Sequence, residues 1–372
     1  VRSPWRDGFP LDPDIVMLNH ASYGLAPTDM LAYCAALRGE LERDPNTTLG
    51  DALQERLRSV VDLIAAELGR PAEYCALTTS ATAGAAAVQR SLPLGPDDTV
   101  VVLDCEYSSV LRGWARRCAE AGATLRVIPV RLPFEDGSEL LDRMSRIAGD
   151  AVTVLQFSAI TSSAALRLPV NDIAAWGRER GAAVVVDAAH APFHVDISGW
   201  PDVDAVFGTL HKWLPVPRSV GMLWSRLPLW PAETSLTFDE SRLADRFGWP
   251  GTFDPAPRLA VPEAVARHRA WQAAGAIGHA EELADYAVGA LTDVGAIPTA
   301  GEEFLPPRLR AFLLPRVDLA VLRQRLLAAG VRAWTGPHDQ SACLVRVATH
   351  VYTERGDLDV VAGIVGALLE DA

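Results

Sequence analysis

Apolar and polar residues recur along this chain with two periods. Short runs rich in β-branched residues have the pattern of buried strands: Thr99-Val100-Val101-Val102-Leu103-Asp104, Val152-Thr153-Val154-Leu155-Gln156-Phe157 and Val184-Val185-Val186-Asp187. Residues 124–130, Cys75-Ala76-Leu77 and Ala205-Val206-Phe207-Gly208 extend the set. Between these runs the apolar spacing lengthens to that of a helix over 28–43, 51–68, 138–148 and 173–181. In the second of these Leu53, Leu57, Val60, Val61, Ile64 and Leu68 form one stripe, with Gly69 and Pro71 as stop signals. Strands alternating with helices predict an α/β fold. The Pro- and Gly-rich stretch 245–262, DRFGWPGTFDPAPRLAVP, marks a boundary. One helix is expected from Pro262 through the 280s. A smaller α/β unit follows, with strands at 310–315 and 344–348 and a helix over 319–329 that stops at Gly330. Residues 1–14 are an extended lead-in.

The totals narrow the function. A chain of 372 residues, 49% hydrophobic and 22% charged, has room for a large core and two domains. Its formal net charge of −13, without basic runs, argues against nucleic acid or an anionic membrane as partner. No apolar stretch has the length of a membrane span, and the first residues, VRSPWRDGFPLDPD, lack the apolar core of a secretory leader. The five cysteines, Cys34, Cys75, Cys105, Cys118 and Cys343, are odd in number and scattered, with no CxxC pair. Neither a disulfide framework nor a metal site is expected, and the expected compartment is the cytoplasm.

One residue type changes the picture. Of the 34 basic residues, Lys212 is the only lysine; the rest are arginines. A lone lysine is either a surface survivor or a residue whose task arginine cannot perform. An amine can lose its proton and attack a carbonyl, whereas a guanidinium keeps its charge. Lys212 sits in His211-Lys212-Trp213 between apolar segments. Asp187 closes a β-branched strand, the place where open α/β sheets bind ligands; it also has the position of a helix cap. Together the two fit a pyridoxal phosphate site: lysine for the aldehyde, aspartate for the pyridine nitrogen.

The pattern strand-Asp187-x-x-His190 followed by His211-Lys212-Trp213 resembles the class V aminotransferase group of fold-type I pyridoxal phosphate enzymes, and within it the isopenicillin N epimerase-like branch. The resemblance spans about residues 15 to 355. It implies a large mixed-sheet α/β domain over 15–260 and a smaller C-terminal α/β domain over 261–372 that takes in residues 1–14. It also implies the cofactor pyridoxal 5′-phosphate, an amino-acid substrate and a homodimer.

The resemblance assigns roles along the chain. Cys75 to Gly84 resembles the phosphate loop, with Ser80 where relatives carry asparagine. The start of a helix binds anions, so Ala81 and Thr82 are expected on the cofactor phosphate, although every helix also needs such a cap. Tyr107 takes the place of the ring that lies against the pyridine. Thr161 and His190 are expected near the phenolic oxygen, His190 having an alternative as a structural loop histidine. Thr209 and His211 flank the lysine as phosphate ligands. Thr252, in a Gly-Thr-x-Asp segment, is expected to reach the partner subunit's phosphate. His20, Ser22 and Tyr23, in Asn19-His20-Ala21-Ser22-Tyr23, are expected on the substrate side. Arg346, a charge in the apolar run Cys343-Leu344-Val345-Arg346-Val347-Ala348, either meets a structural carboxylate or awaits the substrate's. Ala159 stands where relatives carry histidine and is expected to open space beside the substrate.

The implied reaction starts at the α-carbon of an amino acid and branches to epimerisation, transamination, elimination of sulfur or decarboxylation. A desulfurase is disfavoured, because the loop from Trp334 to Gln340 has no cysteine and Cys343 lies in a strand. Relatives of this branch include carbon–sulfur lyases of secondary metabolism, some of which tailor sulfur-linked amino acids in antibiotic pathways such as those of the lincosamides. The expected function is therefore carbon–sulfur cleavage or decarboxylating deamination of such an amino acid. The alternatives are an epimerase and a non-catalytic pyridoxal phosphate sensor. A nucleotide-binding protein has no support, since GxGxxG and Walker A sequences are both missing.

Overall fold

The computed structural model describes residues 3–201, 203–231 and 242–371. A seven-stranded sheet forms its larger part: β1 (Cys75–Thr78), β2 (Thr99–Leu103), β3 (Thr124–Ile128), β4 (Val154–Ser158), β5 (Ala183–Ala188), β6 (Ala205–Thr209) and β7 (Gly221–Ser225). The spatial order is β1-β7-β6-β5-β4-β2-β3. Strands β3, β2, β4, β5 and β6 run parallel, and β7 is antiparallel to both of its neighbours. Val100, Val101, Val102, Val184, Val185 and Val186 have no exposed surface. Helices cover both faces of such a sheet, so both faces of each strand must be apolar.

Parallel strands put all their C-terminal ends on one edge. Ser158 is paired with Asp187, and Asp187 with Phe207, so the ends of β4, β5 and β6 lie side by side. The second sheet is antiparallel and four-stranded: β8 (Ile297–Pro298), β9 (Leu309–Pro315), β10 (Trp334–Pro337) and β11 (Ala342–Ala348), in the order β10-β11-β9-β8. Its core joins Phe312, Leu314, Val345 and Val347 to Leu358, Val361 and Val365 of the C-terminal helix Arg355–Glu370. No helix among the described residues is long and apolar enough to cross a membrane.

Three details differ from the sequence reading. The helix expected from 262 is two helices, Val261–Ala273 and Ala276–Thr292, parted at Gly275 with φ 74°. A left-handed residue ends a helix, and glycine takes that conformation without steric cost. The expected limits at 15 and 260 cut across the packing. Val16–Met17 pairs with Val331–Arg332 beside the second sheet, and Leu18 is buried in that sheet's core. Val261, Ala264 and Val265 belong instead to the core of the first.

Gly24 fixes how the N-terminal segment meets the lysine. Its φ is 67°, and a Cβ there would stand 1.8 Å from the carbonyl oxygen of His211. Backbone on backbone leaves nothing to move aside. Gly24→Ala is therefore expected to cost about 2 kcal/mol or more, read by denaturant unfolding of the purified variant. An unchanged midpoint would contradict this close approach.

Candidate active site

The sheet's C-terminal edge opens into a cavity of about 230 Å³. Lys212, Asp187, His190, Thr209, His211, Ala81, Thr82, Tyr107, Ser22 and Tyr23 all line it. Ten of the residues singled out in the sequence thus meet in one place. Ser80 caps the helix Ala81–Ser91, its hydroxyl accepting from the Ala83 N–H at 3.2 Å. The amides of Ala81 and Thr82 lie in the first turn, where no helical carbonyl stands four residues earlier, and so suit a ligand. Thr209 donates its hydroxyl to the Ala189 carbonyl at 2.9 Å. His211 is held through Nδ1, 2.8 Å from the Val220 carbonyl. Tyr107 presents a ring that is half exposed.

Asp187, His190 and Arg346 are buried, and Lys212 is half-buried. Lys212 Nζ lies 3.1 Å from His190 Nε2. Burial lowers the pKa of the amine to about 7, Arg346 adds to the fall, and Asp187 opposes it. Burial likewise holds His190 well below its ordinary value, with Lys212 and then Arg346 contributing. The Asp187 carboxyl is pushed up to about 6 by burial, against a hydrogen bond from the Ala189 N–H at 2.7 Å and the charge of Lys212. Arg346 has 1% of its surface exposed. Its guanidinium donates to the Ser162 carbonyl and hydroxyl, to Asn19 Oδ1 at 3.0 Å and to Ser22 Oγ at 2.8 Å, over the ring of Trp334. Every partner is neutral, and among the described residues no carboxylate lies within ion-pair distance. Arg346 does not itself line the cavity; its neighbours Ser22, Ser162 and Trp334 do, so the guanidinium lies behind that wall.

Other expectations are corrected. His20 does not line the cavity: its Nδ1 meets the Tyr352 hydroxyl at 2.9 Å and its ring stacks on His350 at 3.8 Å. Thr161 is buried, its hydroxyl accepts from the Leu166 N–H at 2.9 Å, and it does not line the cavity. Ala159 is packed in the core of the large sheet, so its small size opens no space in this cavity. The expectation for Thr252 concerns a partner subunit instead: the residue is exposed and does not line the cavity of its own chain.

The sequence reading missed Glu106. It is 5% exposed and accepts from Gln156 Nε2 at 2.8 Å, the Ser158 N–H at 2.8 Å and the Ser158 hydroxyl at 2.7 Å. Trp114 Nε1 in turn holds Gln156 at 2.9 Å. Burial first, and then the charge of Asp187, push the Glu106 carboxyl up to about 8, while these hydrogen bonds pull it down. The available signal was an acidic residue directly before the expected ring residue Tyr107, just beyond an apolar strand that also ends in Asp104.

The model of the family described as aminotransferase class V matches residues 30–361. The chain belongs to the class V aminotransferase family. Isopenicillin N epimerase of Streptomyces clavuligerus is 30% identical, with 96% of each chain covered. A probable chloroplastic L-cysteine desulfhydrase of Arabidopsis thaliana is 27% identical over 68% of this chain and 58% of its own. The structure of the cystine C–S lyase C-DES with its product cysteine persulfide superposes with a TM-score of 0.79 at 19% identity, covering 96% of this chain and 98% of that one. The fold is that of fold-type I pyridoxal phosphate enzymes. The cofactor of this class V enzyme is pyridoxal 5′-phosphate.

The residues present fit that cofactor. A buried carboxylate without a cation in contact suits a protonated ring nitrogen, which would offset the cost of burying Asp187. The buried Nδ1 of His190 has no partner. The open end of the helix Ala81–Ser91 suits a phosphate. An amine with a pKa near 7 is about half unprotonated at neutral pH and so can attack an aldehyde.

The raised carboxyl of Glu106 has a sign that can be measured. The native state binds this proton more tightly than the unfolded chain, whose carboxyl has the ordinary value of 4.5. Stability from this group is therefore greatest at low pH and is lost as pH rises towards about 8. Glu106→Gln is expected to flatten that fall in urea titrations taken between about pH 5 and 8. Parallel curves for the two proteins would contradict it.

Proposed function

We propose that this enzyme acts at the α-carbon of a sulfur-linked amino acid, cleaving its carbon–sulfur bond by β-elimination or, as the other outcome, removing its carboxylate in a decarboxylating deamination, in secondary metabolism of the kind that tailors antibiotics. The observation that carries this reading is the pairing of a neutral-prone Lys212 with a buried Arg346 that lacks an acidic partner. It leaves one nucleophilic base and one carboxylate anchor around a single cavity. In this reading Lys212 holds the cofactor aldehyde and Asp187 the ring nitrogen. Tyr107 covers the ring, and His190 meets the phenolic oxygen. Ala81, Thr82, Thr209 and His211 hold the phosphate. When bound, the cofactor supplies an electron sink for the pair left at the substrate α-carbon.

The protein's own groups do the rest. Arg346 binds the substrate carboxylate, exchanging its neutral acceptors Ser22 and Asn19 for a charged one. That contact decides which bond to the α-carbon is aligned for cleavage. Lys212, once released from the cofactor, takes the α-proton and returns it to the departing sulfur. The Cα–H and Cβ–S bonds break, a thiol leaves, and water converts the remainder to a keto acid and ammonia. A persulfide-carrying cysteine is not part of this scheme. Cys343 is buried in β11 with its thiol pushed up by burial, and among the described residues no cysteine lines the cavity.

The 30% identity to an isopenicillin N epimerase over nearly the whole chain favours a second reading, inversion at the α-carbon. A panel of S-substituted cysteines in heavy water separates the two. The lyase is expected to release thiol and keto acid, and the decarboxylating variant carbon dioxide. The epimerase would return α-deuterated substrate of both configurations and no thiol. Arg346→Ala is expected to lower kcat/KM by roughly 100-fold or more on any reactive substrate. Clean racemisation across the panel would overturn the lyase.

The same reading takes the active form as a cytoplasmic homodimer, in which the exposed Thr252 completes the partner's phosphate site. Sedimentation should then show two chains per particle. A monomer with full activity at dilution would contradict this.

A further inference from the structure

Trp213, the neighbour of Lys212, is fully buried between two groups that play no part in the site above. His194 stacks on its ring at 3.9 Å, and the Arg308 guanidinium lies over it at 4.7 Å. His194 and Arg308 also line a second cavity, of about 310 Å³, that shares no lining residue with the first. His268, Arg269 and Gln272 complete its polar lining with the acids considered below.

Arg308 is 1% exposed. Its Nη2 donates to the Phe193 carbonyl at 2.6 Å, and its backbone N–H donates to His194 Nε2 at 2.9 Å. Its Nε and Nη1 are buried with no partner. His268 is 4% exposed, and its Nε2 is likewise buried and unpartnered. Phe193, at φ 59°, holds a left-handed conformation that a bulky side chain rarely adopts, and its carbonyl there receives the guanidinium. Burial leaves Arg308 with a pKa of about 10, so it stays charged at neutral pH. A buried charge with unspent donors is costly unless something answers it.

The acids around this cavity are mostly engaged. Glu67 pairs with Arg269. Asp196 accepts from the Ser198 N–H and hydroxyl at 2.8 and 2.7 Å. Glu281 lines the cavity and its charge acts on Arg308, but the two are not within ion-pair distance. These three carboxylates oppose a doubly charged ligand and leave place for a singly charged one.

We propose that this cavity is a binding site for a small monoanion, a short carboxylate, held by Arg308 and His268. Such an occupant gives Arg308 Nε and Nη1 and His268 Nε2 the acceptor they lack and lies against the layer that packs on Trp213. Nothing in this assignment depends on the reaction proposed above.

Calorimetric titration of the holoenzyme with sodium acetate tests it. A saturable site that persists in Arg346→Ala is expected, that variant removing the only other carboxylate anchor proposed. Arg308→Gln and His268→Gln are each expected to weaken it at least tenfold; the histidine variant keeps the test alive if the arginine variant does not fold. Sulfate should not compete, and crystals soaked in sodium bromide should show anomalous density beside Arg308 Nη1. Four results would overturn the proposal: equal binding by wild type and both variants, loss of binding in Arg346→Ala, binding of sulfate as tight as acetate, or binding that emerges only in Glu281→Gln. The last would mean that the Glu281 side chain fills the place itself.

Discussion

The structure turns on one electrostatic constraint: Lys212, half-buried, lines one small cavity, Arg346 is buried behind its wall, and Asp187 is the single carboxylate lining it among the described residues. Three charges so placed cannot all be kept by the protein alone. The amine gives way first, because a lysine sheds its proton far more readily than an arginine. That is why the one lysine of the chain matters and why none of its arginines could replace it. Asp187 is pulled both ways, by burial towards the neutral acid and by Lys212 towards the ion. A ligand carrying a ring cation, a phosphate and an aldehyde would answer each of these groups in turn.

The fold delivers these groups from separated parts of the sequence. Asp187 and Thr209 come from the C-terminal ends of neighbouring parallel strands, and Lys212 follows the second of them. Arg346 arrives on β11 of the other sheet, with Trp334 paired opposite it on β10. The segment around Asn19 ties the halves together. Its strand Val16–Met17 pairs beside the second sheet, its Asn19 and Ser22 side chains hold Arg346, and Gly24 rests on the backbone of His211. The electrostatic balance thus depends on packing between units, which a single substitution at Gly24 disturbs.

Much of this was legible in the sequence, for definable reasons. The β-branched runs and the Leu53-to-Ile64 stripe have unambiguous periods, and the strands and helix lie where those periods place them. Lys212 stood out by uniqueness, and Asp187 by its place at a strand end. His20 and Thr161 were misplaced because a histidine or threonine in a turn has the same local pattern whether it faces a ligand or the interior. Only the tertiary contacts to Tyr352 and to Leu166 separate the two cases. Glu106 was missed because one acidic residue after a strand carries no period. Its meaning comes from Gln156 and Ser158, about fifty residues away. The C-terminal helix Arg355–Glu370 was overlooked although Glu354 and Asp357 form a capping box at its start.

The central claim is that Lys212, made basic enough to react and neutral enough to attack, is where the cofactor is held. Borohydride reduction of the holoenzyme followed by peptide mapping tests this most directly. The account predicts that all of the reduced cofactor is found on the peptide containing His211-Lys212-Trp213, and that Lys212→Arg captures none. Reduced cofactor on the terminal amine alone, or undiminished capture by Lys212→Arg, would contradict it.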